Sequence, residues 1–193
     1  MIRGELCLYE LATFQPLLAA CLIAEALAPV NAQSNFPFVA DEFAIPEKLE
    51  TDEYRLRMLT INDLLKDYDA VMSSVGHLQK VWGDGWPEGL TLEEDLVDLG
   101  WHQREFLNRS SFAYNMVTLD ENKVIGCVYI NPTRIAGYDA EVTMWVRAIE
   151  LESGLGSRLF ATVKKWLTDD WPLENPGFPG RDIDWTTWNS VPD

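Results

Sequence analysis

Basic residues are scarce in this sequence. Its 193 residues include 15 Lys and Arg against 31 Asp and Glu, which gives a formal charge of -16. Because such a surface repels polyanions, we expect no nucleic-acid partner. The same field favours cationic ligands such as amines over anionic ones, unless local positive groups or backbone N–H donors oppose it.

Residues that form disulfides or bind metals are also few. The three cysteines, Cys7, Cys21 and Cys127, are an odd number, stand far apart and have no His or Cys at ligand spacing. This pattern argues against a disulfide framework and a zinc site, and it favours a reducing, cytoplasmic location. The two histidines, His77 and His102, have no evident Ser or Cys partner, so we expect surface or half-buried side chains and predict no metal site.

Long apolar runs are missing as well. The run "LLAACLIA" (17–24) is too short to span a membrane, so we expect no membrane partner. The small residues of "VNA" (30–32) are spaced as at a signal-peptidase site. Because Glu5, Glu10 and Glu25 interrupt the basic and apolar parts of such a leader, the sequence favours a chain without a cleaved signal.

The N-terminal quarter differs in composition from the rest. Residues 16–28 predict a short helix that is apolar on nearly every side, which covers open apolar surface or pairs two copies in a homodimer. Residues 31–53 turn to Pro, Asn, Ser and acidic residues and predict an extended arm held by phenylalanines. We therefore predict an arm over 1–50 and one domain over 51–193.

The domain alternates between strand and helix patterns. Its order is strand, helix, helix, strand, strand, strand, helix, and Thr91 with Glu94 forms a capping box at the second helix. The predicted segments are 54–60, 61–72, about 91–107, 111–119, 124–130, 140–146 and 154–167. The turn formers "DENK" (120–123) predict that 111–119 and 124–130 form a hairpin.

Tryptophans mark one predicted loop. Trp82 and Trp86 lie in the run "VWGDGWPEG" (81–89), which its glycines and proline indicate to be a loop. These tryptophans either line a ligand cleft or close an edge of the core. The sequence leaves both interpretations open.

Two glycines stand where the last strand gives way to the last helix. Gly154 and Gly156 belong to the first turn of that helix, directly behind the strand that ends at Val146. A helix N-terminus carries unpaired N–H groups and the positive end of the macrodipole, so phosphate oxygens can bind there. Glycine lets a phosphate approach the backbone, and the pattern therefore predicts a phosphate site.

The element order and this glycine pair resemble the GNAT superfamily of acyl-CoA-dependent N-acetyltransferases. The coenzyme signature of that superfamily is Gln or Arg, two residues, Gly, one residue, then Gly or Ala. The resemblance covers residues 54–170 and implies an α/β fold with a mixed central sheet flanked by helices, with acetyl-CoA as cosubstrate. It further implies that the pantetheine arm pairs with the backbone of Met144, Trp145 and Val146. The pyrophosphate would then lie on the loop formed by Leu151, Glu152, Ser153, Gly154, Leu155, Gly156 and Ser157.

The sequence departs from the family pattern at two places. Leu151 stands where the signature has Gln or Arg, and Glu152 brings a carboxylate near the expected pyrophosphate, which Arg147 and Arg158 would offset in part. Residues 168–193 contain no Tyr and carry three prolines before Arg181. We therefore predict that the Tyr-bearing helix of the family and its general acid cannot be carried over, and that the end of the fold is either curtailed or completed by something else.

The resemblance also suggests a catalytic base. Some family members use a Glu in the stretch that corresponds to "AE" here, which implies Glu141, on the same strand face as Thr143 and Trp145. Glu141 is either this base or a strand residue without a catalytic role. The sequence predicts an N-acetyltransferase for a small cationic amine, and the alternative is a non-catalytic GNAT-like binding or assembly module.

Overall fold

The computed structural model describes residues 37–83 and 85–191. Its strands are β1 (Lys48–Glu50), β2 (Arg55–Met58), β3 (Phe112–Val117), β4 (Val124–Asn131), β5 (Ala140–Val146) and β6 (Pro176–Gly177). Its α-helices are α1 (Leu64–Met72), α2 (Val75–Trp82), α3 (Leu92–Leu107), α4 (Leu155–Asp170) and α5 (Trp185–Ser190). The apolar helix predicted over 16–28 lies outside the described residues.

The strands form a mixed sheet whose order follows the chain, from β1 to β6. Neighbours are antiparallel from β1 to β5, and β6 pairs with β5 in parallel. The β3–β4 hairpin confirms the prediction for residues 111–130. The Asp120 carboxylate fixes its turn by accepting hydrogen bonds from the Thr118 hydroxyl and the Asn122 N–H.

Helix α4 packs on one face of the sheet. Its buried residues are Leu155, Leu159, Val163, Trp166 and Leu167, at the spacing of one helical stripe. They join a core with alternate residues of the central strands, including Val128 and Met144. The amphipathic helix predicted for residues 154–167 is thus confirmed and runs three residues further.

Helices α1 to α3 cover the opposite face. Thr91 and Glu94 form the predicted capping box at the start of α3, with both reciprocal hydrogen bonds present. The prediction missed α2, however, and Trp82 is the last residue of that helix rather than part of a loop. Its ring packs against the core on this face, edge-on to Tyr129 at 6.2 Å.

The segment before the predicted domain boundary also contributes to the core. Phe38 and Phe43 pack against the α4 side of the sheet, and β1 pairs with β2 just before residue 50. The Phe38 N–H donates to the Arg109 carbonyl at 2.7 Å, and the Tyr114 hydroxyl donates to the Pro46 carbonyl at 2.7 Å. These contacts tie residues 38–50 to the sheet.

The C-terminal segment is more regular than its prolines suggest. The two-residue strand β6 and the short helix α5 complete this end of the fold. Asp184 caps α5 by accepting from the Thr187 N–H at 2.9 Å. Helix α5 carries Trp185 and Trp188 and no tyrosine, so the family's usual general acid is not supplied by this helix.

Candidate functional site

The junction between β5 and α4 leaves backbone donors without acceptors. Residues 151–154 turn after a short 3-10 helix, and Gly154 adopts a left-handed φ of 73° as the N-cap of α4. Within the described residues the N–H groups of Glu152, Ser153 and Gly156 have no backbone acceptor. They lie at the positive end of the α4 dipole, where an anion would be stabilised.

Strand β5 has an open edge beside this junction. The strand is seven residues long, but β6 pairs only with Ala140 and Glu141. Residues 142–146 therefore have no strand partner on that side within the described part of the chain. An extended chain with amide groups can pair with such an edge by main-chain hydrogen bonds.

A cleft of about 360 Å³ lies between these elements, and we call it the α4 cleft. One side is the loop and first turn of α4, β5 contributes the middle, and the other side is formed by α2 and by residues 179–185. The cofactor residues predicted from the sequence that line it are Met144, Val146, Leu151, Gly154, Gly156 and Ser157.

The other predicted cofactor residues do not line the α4 cleft. Trp145 is 1% exposed and packs with α1 to α3 on the other face of the sheet. Leu155 is buried under α4, and Glu152 and Ser153 are exposed on the preceding turn. Only backbone groups of these four residues remain candidates for ligand contact.

The charges around the α4 cleft are positive. Among the described residues no Asp or Glu lines it, whereas His77 and Lys80 from α2 and Arg181 from the C-terminal segment do. The two arginines expected to offset Glu152 have other acidic partners, although Arg158 also donates to the Ser153 carbonyl at 2.7 Å. Arg158 forms a two-bond ion pair with Glu53, and Arg147 bonds the Val124 carbonyl and pairs with Asp69.

Glu141 lies in a second, adjoining cleft. This Glu141 cleft has a volume of about 560 Å³ and is also lined by Trp82, Trp185 and Asn189. It shares Lys80, Val81 and Trp185 with the α4 cleft, so the two are contiguous. The structure thus places the predicted base beside the predicted coenzyme site, where a carboxylate can accept a proton from a bound acceptor.

The Glu141 carboxylate is held by a residue that the sequence did not suggest. Trp188 on α5 is 2% exposed, and its indole N–H donates to Glu141 Oε2 at 3.2 Å. A side chain at Gly177 would collide with the Trp188 ring, at 2.4 Å from the nearest ring carbon. The absence of a side chain at Gly177 therefore allows Trp188 to reach Glu141.

Trp82 combines the two roles left open by the sequence. Its ring packs against the core and also lines the Glu141 cleft, with the Trp185 ring 6.2 Å away. Trp86 is 36% exposed and lines neither cleft. Aromatic faces beside a carboxylate form a favourable environment for an ammonium group.

Five residues that the site uses escaped the sequence analysis: His77, Lys80, Arg181, Trp185 and Trp188. His77 and Lys80 are three residues apart on α2, and the spacing of Val75, Leu78 and Trp82 could have indicated that helix. The Asp184 cap could likewise have indicated α5. Nothing in the sequence shows that Arg181 faces Gly156.

His102 lies outside both clefts. It is half-buried, as expected, between Asp98 and Glu105 of its own helix, with its ring 5.1 Å from that of Tyr129. No group of three metal-binding side chains occurs among the described residues. In the same part of the chain, none of the helices is long and apolar enough for a membrane span.

Buried acids lie on the helices behind the sheet. Asp67 and Asp95 are 6% and 3% exposed. Burial, reinforced by the charge of Asp95, raises the pKa of Asp67 to about 8, and burial raises that of Asp95 to about 6. Neither residue lines a cleft, so this pair bears on stability rather than on ligand binding.

No family model matches the sequence, and no curated protein matches it. Solved structures match its fold. A putative ribosomal-protein-serine acetyltransferase from Vibrio cholerae superimposes with a TM-score of 0.56 at 12% identity, over 70% of this chain and 75% of that one. A ribosomal-protein-S5-alanine acetyltransferase from Vibrio fischeri gives 0.53 at 19% identity, over 62% and 66%.

A third similar structure contains ligands. The microcin C7 self-immunity acetyltransferase MccE, solved with acetyl-CoA and AMP, matches with a TM-score of 0.52 at 14% identity, over 64% of this chain and 68% of that one. At these identities the likeness is one of fold.

Proposed function

The chain has the GNAT acyltransferase fold, as predicted from its sequence, and on that premise we propose that it is an N-acetyltransferase that uses acetyl-CoA. One observation carries the proposal. In a chain with a charge of -16, no carboxylate of the described residues lines the cleft between the open edge of β5 and the α4 N-terminus. This is the location where the sequence resemblance implies the coenzyme.

The residues of the α4 cleft fit such a coenzyme. The free edge at Met144, Trp145 and Val146 offers main-chain groups to the amides of a pantetheine arm. The unpaired N–H groups at residues 152–156 suit a pyrophosphate. When bound, acetyl-CoA supplies the activated thioester carbonyl.

Glu141 is the proposed base. It accepts the proton that an ammonium group must lose before its nitrogen can attack the thioester carbon, directly or through one water. A carbon–nitrogen bond forms, the carbon–sulfur bond breaks, and the coenzyme leaves as its thiol. The Trp188 indole orients the carboxylate through the hydrogen bond at 3.2 Å.

The Glu141 cleft suits a cationic acceptor. A carboxylate and the faces of Trp82 and Trp185 favour an ammonium group, and the charge of -16 attracts cations to the surface. We therefore propose a polyamine or another small amine as the acceptor class. The proximity of the two clefts would bring the amine to the thioester and so supply part of the rate.

A binding or assembly module with the same fold is the competing function, and Leu151 in the signature position favours it. Thiol release from acetyl-CoA in the presence of polyamines and aminoglycosides separates the two. The proposal predicts amine-dependent release and an acetylated amine in the mass spectrum. Absence of release across the amine panel, in a folded chain that binds acetyl-CoA, would favour the module. Absence of coenzyme binding would refute the proposal.

A further inference from the structure

Arg181 differs from most other described arginines because no carboxylate pairs with it. Its guanidinium nitrogens lie 3.6 and 3.7 Å from the position that a Gly156 side chain would occupy, so it faces the first turn of α4. Within the described residues it forms no ion pair, and burial lowers its pKa with no counter-charge to offset the effect. The guanidinium and the positive end of the α4 dipole therefore lie next to each other at the cleft.

The acids next to Arg181 in sequence are engaged elsewhere. Asp182 pairs with Lys164 of α4. Asp184 bonds the Thr187 hydroxyl and N–H at the start of α5. Neither carboxylate lines the cleft, so the positive charge of Arg181 is available to a ligand.

A closed turn directs Arg181 into the cleft. The Gly180 N–H donates to the Ile183 carbonyl at 2.7 Å, and the Arg181 N–H donates to the Phe178 carbonyl at 3.1 Å. Gly180 has a φ of 74°, and a side chain there would lie 2.8 Å from the Trp185 indole nitrogen. Only glycine adopts this left-handed conformation at low cost, so Gly180 allows the backbone geometry that the turn requires.

Two further basic groups come from α2. His77 and Lys80 are three residues apart and line the same cleft. Burial lowers the pKa of His77, and the charges of Arg181 and Lys80 lower it further. Lys80 and Arg181 are thus the charged groups, and a bound anion would lessen the repulsion between them and favour the protonated form of His77.

A hydroxyl group also borders this cleft. Thr143 on β5 lines it and is 4% exposed, and its hydroxyl forms no hydrogen bond within the described residues, so this group is free to bond a ligand. The cleft therefore has features of a ligand site that do not depend on the helix terminus.

We infer that Arg181, assisted by Lys80 and His77, holds the pyrophosphate of the coenzyme and replaces the Gln or Arg that the signature lacks at Leu151. The charge comes from the C-terminal side of the cleft instead of from the loop before α4. This inference rests on the proposed function for the identity of the ligand. The cluster of basic groups itself calls for an anion of the phosphate class.

Calorimetric titration with CoA tests the role of Arg181. Arg181→Gln should weaken CoA binding about 10- to 100-fold, the loss typical of a charge-assisted contact. Arg134→Gln is the matched control, because Arg134 is exposed, lies outside both clefts and gives the same change in net charge. Acetyl-pantetheine has no pyrophosphate and should bind wild type and Arg181→Gln equally.

Leu151→Arg provides a rescue. In the Arg181→Gln background it restores the side chain of the family signature and should recover a large part of the lost CoA affinity. In the wild type it should tighten binding only a few-fold, most visibly at low salt. If Arg181→Gln does not fold, as judged by circular dichroism and melting, Arg181→Lys replaces it with an expected loss of about 3- to 10-fold.

The outcomes separate this inference from the proposed function. If wild type binds CoA and Arg181→Gln binds it as tightly as Arg134→Gln does, the inference is overturned while the function stands. If wild type does not bind CoA, the proposed function fails, and titration with ADP then decides. ADP affinity that depends on Arg181 would support the anion site, and ADP affinity independent of Arg181 would overturn it.

Discussion

The two sides of the α4 cleft are held in different ways. On the loop side, neighbours in sequence fix the backbone: the Gly154 N–H donates to the Leu151 carbonyl, and the Ser157 N–H donates to the Gly154 carbonyl. On the C-terminal side, the turn at residues 178–183 and the capped helix α5 form locally, but distant contacts fix their position against the sheet. Trp188 reaches Glu141, 47 positions away in sequence.

This difference assigns different tasks to the two sides. The loop side offers backbone donors, which any sequence with the right turn supplies. The C-terminal side offers side chains, namely Arg181, which lines the proposed coenzyme site, and Trp188, which bonds the proposed base. A chain that has lost one signature side chain can therefore retain charge at its coenzyme site from the facing segment.

Blocking the loop side should have the largest effect. At Gly156 an added Cβ would meet Arg181 and Val146 at 3.6 Å, an ordinary contact, so Gly156→Val should fold. Its side chain would occupy the proposed pyrophosphate position and reduce CoA affinity at least about 100-fold. Calorimetry with Gly76→Val is the control, because Gly76 is also the second residue of its helix and has open space. Unchanged affinity in Gly156→Val would contradict the site.

The second prediction concerns the proposed base, Glu141, which lies on β5 where that strand pairs with β6. Glu141→Gln keeps the shape of the side chain and removes its basicity, so turnover should fall about 100-fold while CoA affinity stays. Glu42→Gln, at an exposed position, is the control. Wild-type turnover of Glu141→Gln across the pH range would show that another group or solvent removes the proton.

The C-terminal side is probed by Trp188→Phe. Phenylalanine retains most of the packing but loses the hydrogen bond to Glu141, and turnover should fall about 3- to 10-fold with unchanged KM for acetyl-CoA. Trp101→Phe, on the exposed side of α3, is the control. Wild-type turnover in Trp188→Phe would show that this hydrogen bond does not assist Glu141.

The smallest effect on the α4 cleft is expected from a substitution at Asp67, a buried acid on α1. Because folding raises the pKa of Asp67 to about 8, the stability that its neutral form contributes is present at low pH and declines as pH rises from about 4 to about 8. Asp67→Asn should therefore melt several degrees above wild type at pH 9. The difference should shrink toward pH 5, whereas exposed Asp52→Asn should show no such trend. A difference independent of pH would contradict the raised pKa, and CoA affinity should not change.

Local sequence signals predicted the loop side and much of the sheet. Asp120 and Asn122 mark the hairpin turn, Thr91 and Glu94 mark the start of α3, and Gly154 marks the N-cap of α4. Each signal depends on contacts within a few residues, which a sequence displays directly.

The C-terminal side could not be predicted because its contacts are distant. Strand β6 has only two residues, and Asp139 anchors the segment before it by accepting from the Asn175 N–H at 3.0 Å. Gly177 is needed because of Trp188, and this is visible only in three dimensions. Arg181 was missed for the same reason. Its position depends on the turn at residues 178–183, and the prolines of this segment suggested irregular structure.

Hydrogen exchange with and without CoA tests the central claim most directly, since it reports on both sides of the cleft in one measurement. We predict slower exchange on CoA binding in two separate segments, 152–157 and 178–185. The β3–β4 turn, 118–123, should not change. Protection of neither segment at saturating CoA would contradict a coenzyme bound in this cleft, and protection of 152–157 alone would contradict the role given to its C-terminal side.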